Sequence, residues 1–249
     1  MDWKGPAEVS MGVWERPFEV VRGGDAIAGI LWMPEEPAGL VPLVLMGHGG
    51  QSEKRNENGL GLARKFVRRH GIAVAAIDAI DHGERGPIRA TDDPAGHPAY
   101  IELWKRPGTF DRMNEDWKAT LGELLASGRF DAEKLGYWGL SMGTMLGLPF
   151  VASEPRIKAA VLGLCGFTGP IAIRGRFGDR HRADAPNVTC PVLFMVQWDD
   201  ERFERNGAFE LFDLLGSADK RLHAHPGLHG ELPAEGRDAT REFLARYLA

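Results

Sequence analysis

Ser141 sits in a setting that could make it a nucleophile. It is the centre of Gly139-Leu140-Ser141-Met142-Gly143. In a strand-turn-helix, glycines flanking a serine in this way remove the side chains that would collide at a very sharp turn, and the hydroxyl is presented at the tip of the sheet. Composition alone would generate about 0.1 such patterns in a chain like this, so context has to decide. A free serine hydroxyl is a poor nucleophile at neutral pH; it needs a neutral imidazole to take its proton and a carboxylate to orient that imidazole. Asp199, Asp200, His223, His225 and His229 lie downstream as candidates. Met142, directly after the serine, offers a backbone N–H to the oxyanion that acyl transfer develops. The bland alternative is a serine that only caps a buried helix.

The surrounding elements suit the sharper reading. Lys134 to Leu140 reads as a short buried strand, and Met142 to Val151 as a buried helix ending before Pro155. Phe18 to Val21 and Ala26 to Met33 flank Arg22-Gly23-Gly24-Asp25, a hairpin pattern that predicts an antiparallel edge. Leu43 to Met46 is an apolar run that breaks at Gly47-His48-Gly49-Gly50, as a strand buried on both faces would. Helices are expected over 58–70, 111–127, 205–215 and 235–248, with further strands at 72–77, 158–164, 191–196 and 221–224. That alternation predicts a mostly parallel sheet of about eight strands covered by helices on both faces, with ligands bound beyond the carboxyl ends of the strands. Two Gly-, Pro- and Arg-rich segments, 81–108 and 166–189, break the rhythm and are expected to be loops partly covering the site. The whole chain, 1–249, is expected to form one α/β domain.

Composition narrows the function class. With 43% hydrophobic and 26% charged residues, the chain of 249 residues has a composition ordinary for a globular enzyme, which argues against disordered, fibrous and membrane classes. A net charge of −5 without a basic stripe argues against nucleic acid as a partner. No basic-then-apolar leader and no transmembrane-length apolar window occur in the sequence, so a cytoplasmic protein without a membrane partner is expected. Cys165 and Cys190 are too few for a disulfide framework and fit a reducing compartment; packing is their expected role, with pocket lining as the alternative for Cys165. His82 with Asp81 and Asp78 is a metal-like grouping, but it lacks a second spaced histidine, and neither a metal nor a cofactor is expected. Arg85, Arg89, Trp104 and Arg106 could shape a pocket for an anionic or aromatic substrate.

Taken together, Gly47-His48-Gly49-Gly50, Gly139-Leu140-Ser141-Met142-Gly143, Asp199-Asp200-Glu201 and Leu228-His229-Gly230 give residues 18–249 a resemblance to the α/β-hydrolase fold. Within it the chain most resembles dienelactone-hydrolase-related esterases and the catalytic domains of the prolyl-oligopeptidase group. The resemblance implies the chain order serine, acid, histidine. It implies Asp200 as the acid, counting three on from Gln197, which stands where a glycine is common; Asp199 is the alternative. It implies His229 as the base, in the loop before the final helix, whereas alternation along 221–225 would put His223 and His225 on one face of a strand. The second oxyanion donor is implied to be Gly50, with Gly49 or Gln51 a one-residue shift away. His48 is expected to fix that loop rather than carry protons. Gln51, Arg85 and Trp104 are the candidate substrate contacts.

The expected activity is therefore hydrolysis of a small-molecule carboxylic ester or lactone through an acyl-enzyme, by a monomer or homodimer. Amide or short-peptide cleavage by the same triad ranks below it, because no propeller domain accompanies the triad in this sequence. A non-catalytic small-ligand binding protein on the same fold is the rival from another class.

Overall fold

The computed structural model describes residues 1–88, 98–175 and 177–248. Among these residues ten strands form one sheet: β1 (Asp2–Trp3), β2 (Glu8–Ser10), β3 (Val13–Arg22), β4 (Asp25–Pro34), β5 (Val41–Gly47), β6 (Ala73–Ile77), β7 (Phe130–Gly139), β8 (Ile157–Gly163), β9 (Val192–Gln197) and β10 (Lys220–His225). Their order is β1-β3-β4-β6-β5-β7-β8-β9-β10, with β2 also on β3. From β6 to β10 every neighbouring pair is parallel, while β1 to β4 add an antiparallel edge. The sheet therefore has two strands more than the eight expected, both of them short pieces in an N-terminal segment that carries no periodic apolar pattern.

The hairpin forms where its glycines predict it. Gly23 and Gly24 both adopt positive φ, 58° and 88°, and Arg22 pairs with Asp25. Two positive-φ residues in a two-residue loop match the right-handed twist of the flanking strands. β3 runs longer than its apolar stretch because Glu15, facing inward, accepts hydrogen bonds from Trp32 Nε1 at 2.7 Å and Arg55 Nε at 2.6 Å. A satisfied buried carboxylate lets the strand continue where a hydrophobicity pattern stops.

Continuous apolar strands are explained by two cores, one on each face. Along β5, Leu43 and Leu45 join the cluster that includes Trp117, Tyr137 and Phe150, whereas Val44 and Met46 join Leu62, Phe66 and Leu244 on the other side. Helices α1 (Glu57–His70) and α8 (Ala234–Leu248) cover that second face, and α3 (Thr109–Ala126), α4 (Met142–Ser153) and α7 (Arg205–Leu214) cover the first. Helix α1 is closed at both ends: Asn56 accepts from Gly59 N, and Gly71 stops it in the left-handed conformation.

Among the described residues, the segments expected as irregular cover are largely helical. Residues 81–108 contain a 3₁₀ turn, Gly83–Arg85, and helix α2 (Pro98–Lys105); residues 166–189 contain α5 (Pro170–Gly175), α6 (Gly178–Asp184) and a 3₁₀ turn at Ala185–Asn187. Each helix is too short for an apolar period to show in a sequence rich in Gly and Arg. Arg89 lies outside the described residues. No helix among the described residues is long and apolar enough to cross a membrane.

Candidate active site

The turn from β7 into α4 puts Ser141 at φ 56°, ψ −119°, a strained backbone for a residue with a Cβ. The glycines are required by close approach: a Cβ on Gly143 would lie 2.6 Å from Gly47 O, and one on Gly139 would lie 2.7 Å from Gly143 O. Ser141 N donates to Gly163 O at 3.0 Å, Tyr137 Oη donates to Gly143 O at 2.7 Å, and Thr144 Oγ1 accepts from Gly163 N at 2.8 Å, so the strained turn is held from below by β7 and β8. The Ser141 side chain makes no capping bond to α4. Its Oγ lies instead 2.8 Å from His229 Nε2.

His229 stands in the loop between β10 and α8, and its Nδ1 is 2.7 Å from Asp200 Oδ2. A carboxylate can only accept, so Nδ1 carries the proton and Nε2 is left to accept from the serine hydroxyl. Asp200 Oδ1 accepts from the backbone N–H of Arg202 at 2.8 Å and of Phe203 at 3.0 Å. Burial by itself would raise the Asp200 carboxyl, but its hydrogen bond and proximity to His229, with the two backbone donors, hold it below the usual carboxylate range.

All three consecutive carboxylates grip the histidine loop. Asp199 Oδ2 accepts from Gly227 N at 3.3 Å, and Glu201 Oε2 accepts from His229 N at 2.9 Å. Asp199 thus binds the loop backbone and Asp200 the imidazole. Gln197, which replaces the glycine common in the resembling enzymes, is buried and donates from Nε2 to Leu228 O at 3.2 Å. His223 is exposed on β10, and His225, two positions further along the same strand, is half-buried.

The loop after β5 is fixed by two imidazoles. His48 Nδ1 meets Gly49 O at 2.8 Å while its Nε2 accepts from Ala79 N at 2.9 Å; His82 Nδ1 meets Ile80 O at 2.9 Å while its Nε2 accepts from Gln51 N at 3.3 Å. Both rings must be neutral to accept, and burial keeps them so, pushing His82 down to about 4 and His48 below its ordinary value. Behind them Asp78, fully buried, accepts from Lys54 Nζ at 2.7 Å and Lys54 N at 2.9 Å. Gly50 is packed so tightly that a Cβ would lie 2.5 Å from Tyr100 Oη.

Two candidate substrate contacts are placed elsewhere. Arg85 is nearly buried and bonded to Asp116 of α3 at 2.6 Å and to Asp78 O at 3.0 Å, so it ties the 3₁₀ turn to the helix. Trp104 is in the core, edge-on to Tyr100 at 5.4 Å. Arg106 pairs with Asp81 at 2.6 Å. Gln51, at φ 53°, has its N–H on His82. Cys165 is fully buried in the core. Among the described residues no three His, Cys, Asp or Glu side chains form a metal-binding group. A cleft of about 310 Å³ opens beside Ser141 and His229, lined in addition by Trp138, Leu140, Arg202 and Arg237. Sequence reasoning missed both arginines; their positions two residues after the acid and eight after the histidine were the available signal.

Structural comparison decides the family. A cold-adapted esterase from an Arctic intertidal metagenomic library superposes with a TM-score of 0.87 at 37% identity, covering 100% of both chains. The chain belongs to the α/β-hydrolase-fold esterases. This hydrolase shares its fold also with acetyl xylan esterase 1 from Thermoanaerobacterium, at TM-score 0.78 and 18% identity over 100% of this chain and 88% of that one. The S-formylglutathione hydrolase of Agrobacterium tumefaciens is similar at TM-score 0.68 and 16% identity, with 100% of both chains covered. No protein-family model matches the hydrolase, and no curated protein matches it by sequence.

Proposed function

We propose that this enzyme is a serine carboxylesterase in which Ser141, His229 and Asp200 act as the triad on a small-molecule ester or lactone. The observation that carries this reading is the unbroken relay from Asp200 Oδ2 through His229 to Ser141 Oγ, at 2.7 and 2.8 Å. His229 Nε2 takes the hydroxyl proton as Ser141 attacks the acyl carbon, and Asp200 stabilises the imidazolium that forms. Met142, the first residue of α4, has an N–H that the helix itself cannot use, and we assign it as one donor to the oxyanion. Because Gln51 N–H is engaged by His82, Gly50 is the donor we assign from the opposite loop. His229 then gives its proton to the leaving alcohol. It next activates the water that releases the acyl group and regenerates Ser141.

A cytoplasmic setting suits the two unpaired cysteines, and residues 1–249 are taken as one catalytic domain. The test is fluorophosphonate labelling of wild type and Ser141→Ala with mass-spectrometric localisation, alongside matched 4-nitrophenyl esters and 4-nitroanilides. Labelling at Ser141 with serine-dependent ester turnover is expected. Full turnover by Ser141→Ala sinks the mechanism, and preferred anilide cleavage replaces the esterase by an amidase.

A further inference from the structure

The wall of the cleft beside Ser141 carries Lys54, Arg202 and Arg237, and among the described residues it carries no aspartate or glutamate, in a chain with 35 acidic and 30 basic residues. The three cations are not equivalent. Lys54 is committed to Asp78 and Glu84, at 2.7 and 2.6 Å. Arg202 at the rim shares Glu201 at a loose 3.3 Å. Arg237, half-buried on the first turn of α8, donates from Nη1 to Leu232 O at 2.5 Å, and no carboxylate among the described residues pairs with it. Elsewhere the two arginines whose side chains are almost fully buried find acids: Arg85 has Asp116, and Arg241 has Asp238 and Glu242.

A guanidinium withdrawn from water without a counter-charge is costly unless a ligand supplies one. Its planar fork matches a carboxylate in two parallel hydrogen bonds, and its place in the first turn of a fifteen-residue helix adds the positive end of the helix dipole to the same field. The same cleft is lined by the apolar side chains of Trp138, Leu140, Leu164 and Leu232, suited to a short methylene chain. We propose that this cleft selects esters that carry a second, anionic carboxylate a few carbons from the scissile bond, anchored by Arg237 with Arg202 at the rim. The proposal rests on the esterase reading above and names its substrate class.

The test compares kcat/KM within two matched pairs, one with the anion on the acyl side (4-nitrophenyl hydrogen adipate against 4-nitrophenyl hexanoate) and one with it on the alcohol side (3-acetoxybenzoate against phenyl acetate). In at least one pair the anionic ester is expected to be favoured about tenfold or more, the scale of a charge-assisted contact. That ratio falls at least fivefold in Arg237→Gln, less in Arg202→Gln, and shrinks in about 0.5 M salt. Ratios at or below one in both pairs, or a ratio indifferent to Arg237→Gln, overturn the proposal while leaving the esterase intact. If folded enzyme hydrolyses none of the four esters, the esterase reading fails first, and calorimetric titration of adipate against adipamide into Ser141→Ala decides the anion site alone. Saturable adipate binding that Arg237→Gln abolishes supports it, and absence of binding overturns it.

Discussion

Replacing Asp78 by asparagine should loosen the floor of the active site through a charge that never touches substrate. Asp78 is fully buried and accepts three hydrogen bonds, from Lys54 N at 2.9 Å, Lys54 Nζ at 2.7 Å and Glu84 N at 2.9 Å. Burial would pull the Lys54 ammonium down, but its bonds to Asp78 and Glu84 outweigh that and hold it above its ordinary value. In Asp78→Asn one oxygen can still accept from Lys54 N. The new NH₂ then faces two donors, and a lysine side chain only 5% exposed keeps a single counter-charge, the exposed Glu84. Breaking one side of a buried pair typically costs about 3–5 kcal/mol; with Glu84 retained we expect about 2–4 kcal/mol, read as a lowered urea midpoint at unchanged slope. Removing both charges relieves the orphaned cation, so Lys54→Met combined with Asp78→Asn should be more stable than Asp78→Asn alone. The single variant should also lose kcat, because Lys54 anchors the loop that carries Gly50. A loss below about 0.5 kcal/mol, or simple additivity of the two substitutions, refutes the reasoning.

Other consequences are equally open to measurement. Gly143→Ala sets a methyl 2.6 Å from Gly47 O, and the resulting shift of the elbow should cost about 1–3 kcal/mol and most of the turnover; normal kcat in that variant contradicts the geometry. Glu201→Ala removes the acceptor for His229 N–H and should lower kcat by about tenfold with little change in KM, whereas Glu201→Gln retains most activity; equal KM and kcat effects would assign Glu201 to substrate instead. His82 and His181 are both pushed down to about 4 by burial, so between pH 6.5 and 4 the unfolded chain binds protons that the folded one does not. Stability should therefore decline across that window as pH falls, by up to about 3 kcal/mol for each histidine, and chemical denaturation giving a flat profile from pH 7 to 4 counts against it.

The turn that carries Ser141 was legible because its signal is local: a strained turn between strand and helix demands glycines at fixed offsets, and Gly139 and Gly143 meet backbone where a Cβ would go. The parallel sheet was legible for a similar reason, since strands such as β5 feed two cores and therefore show no polar face. Tertiary pairing hid the rest. Glu15 looks like the end of a strand until Trp32 and Arg55 are seen to satisfy it. Arg85 and Trp104 looked like pocket residues because an arginine's partner, here Asp116, lies thirty-one positions away on another helix. Arg202 and Arg237 face the cleft only because the loop after β9 and the first turn of α8 meet beside Ser141, and no periodicity encodes that.

The order of elements along the chain also sets a clock. Ser141 and His229 are 88 residues apart, and the histidine loop is held in place only once β10 has paired with β9 and α8 has packed against α1. Both β10 and α8 follow the elbow and β9 along the chain, and pairing between distant segments is a slow kind of step in folding. Up to that moment a chain can display the complete elbow and the complete strand before Asp200 without His229 in place between them. Refolding followed by tryptophan burial and by ester turnover should then trace two curves, with catalysis the later, so that chemistry reports the final docking event rather than collapse.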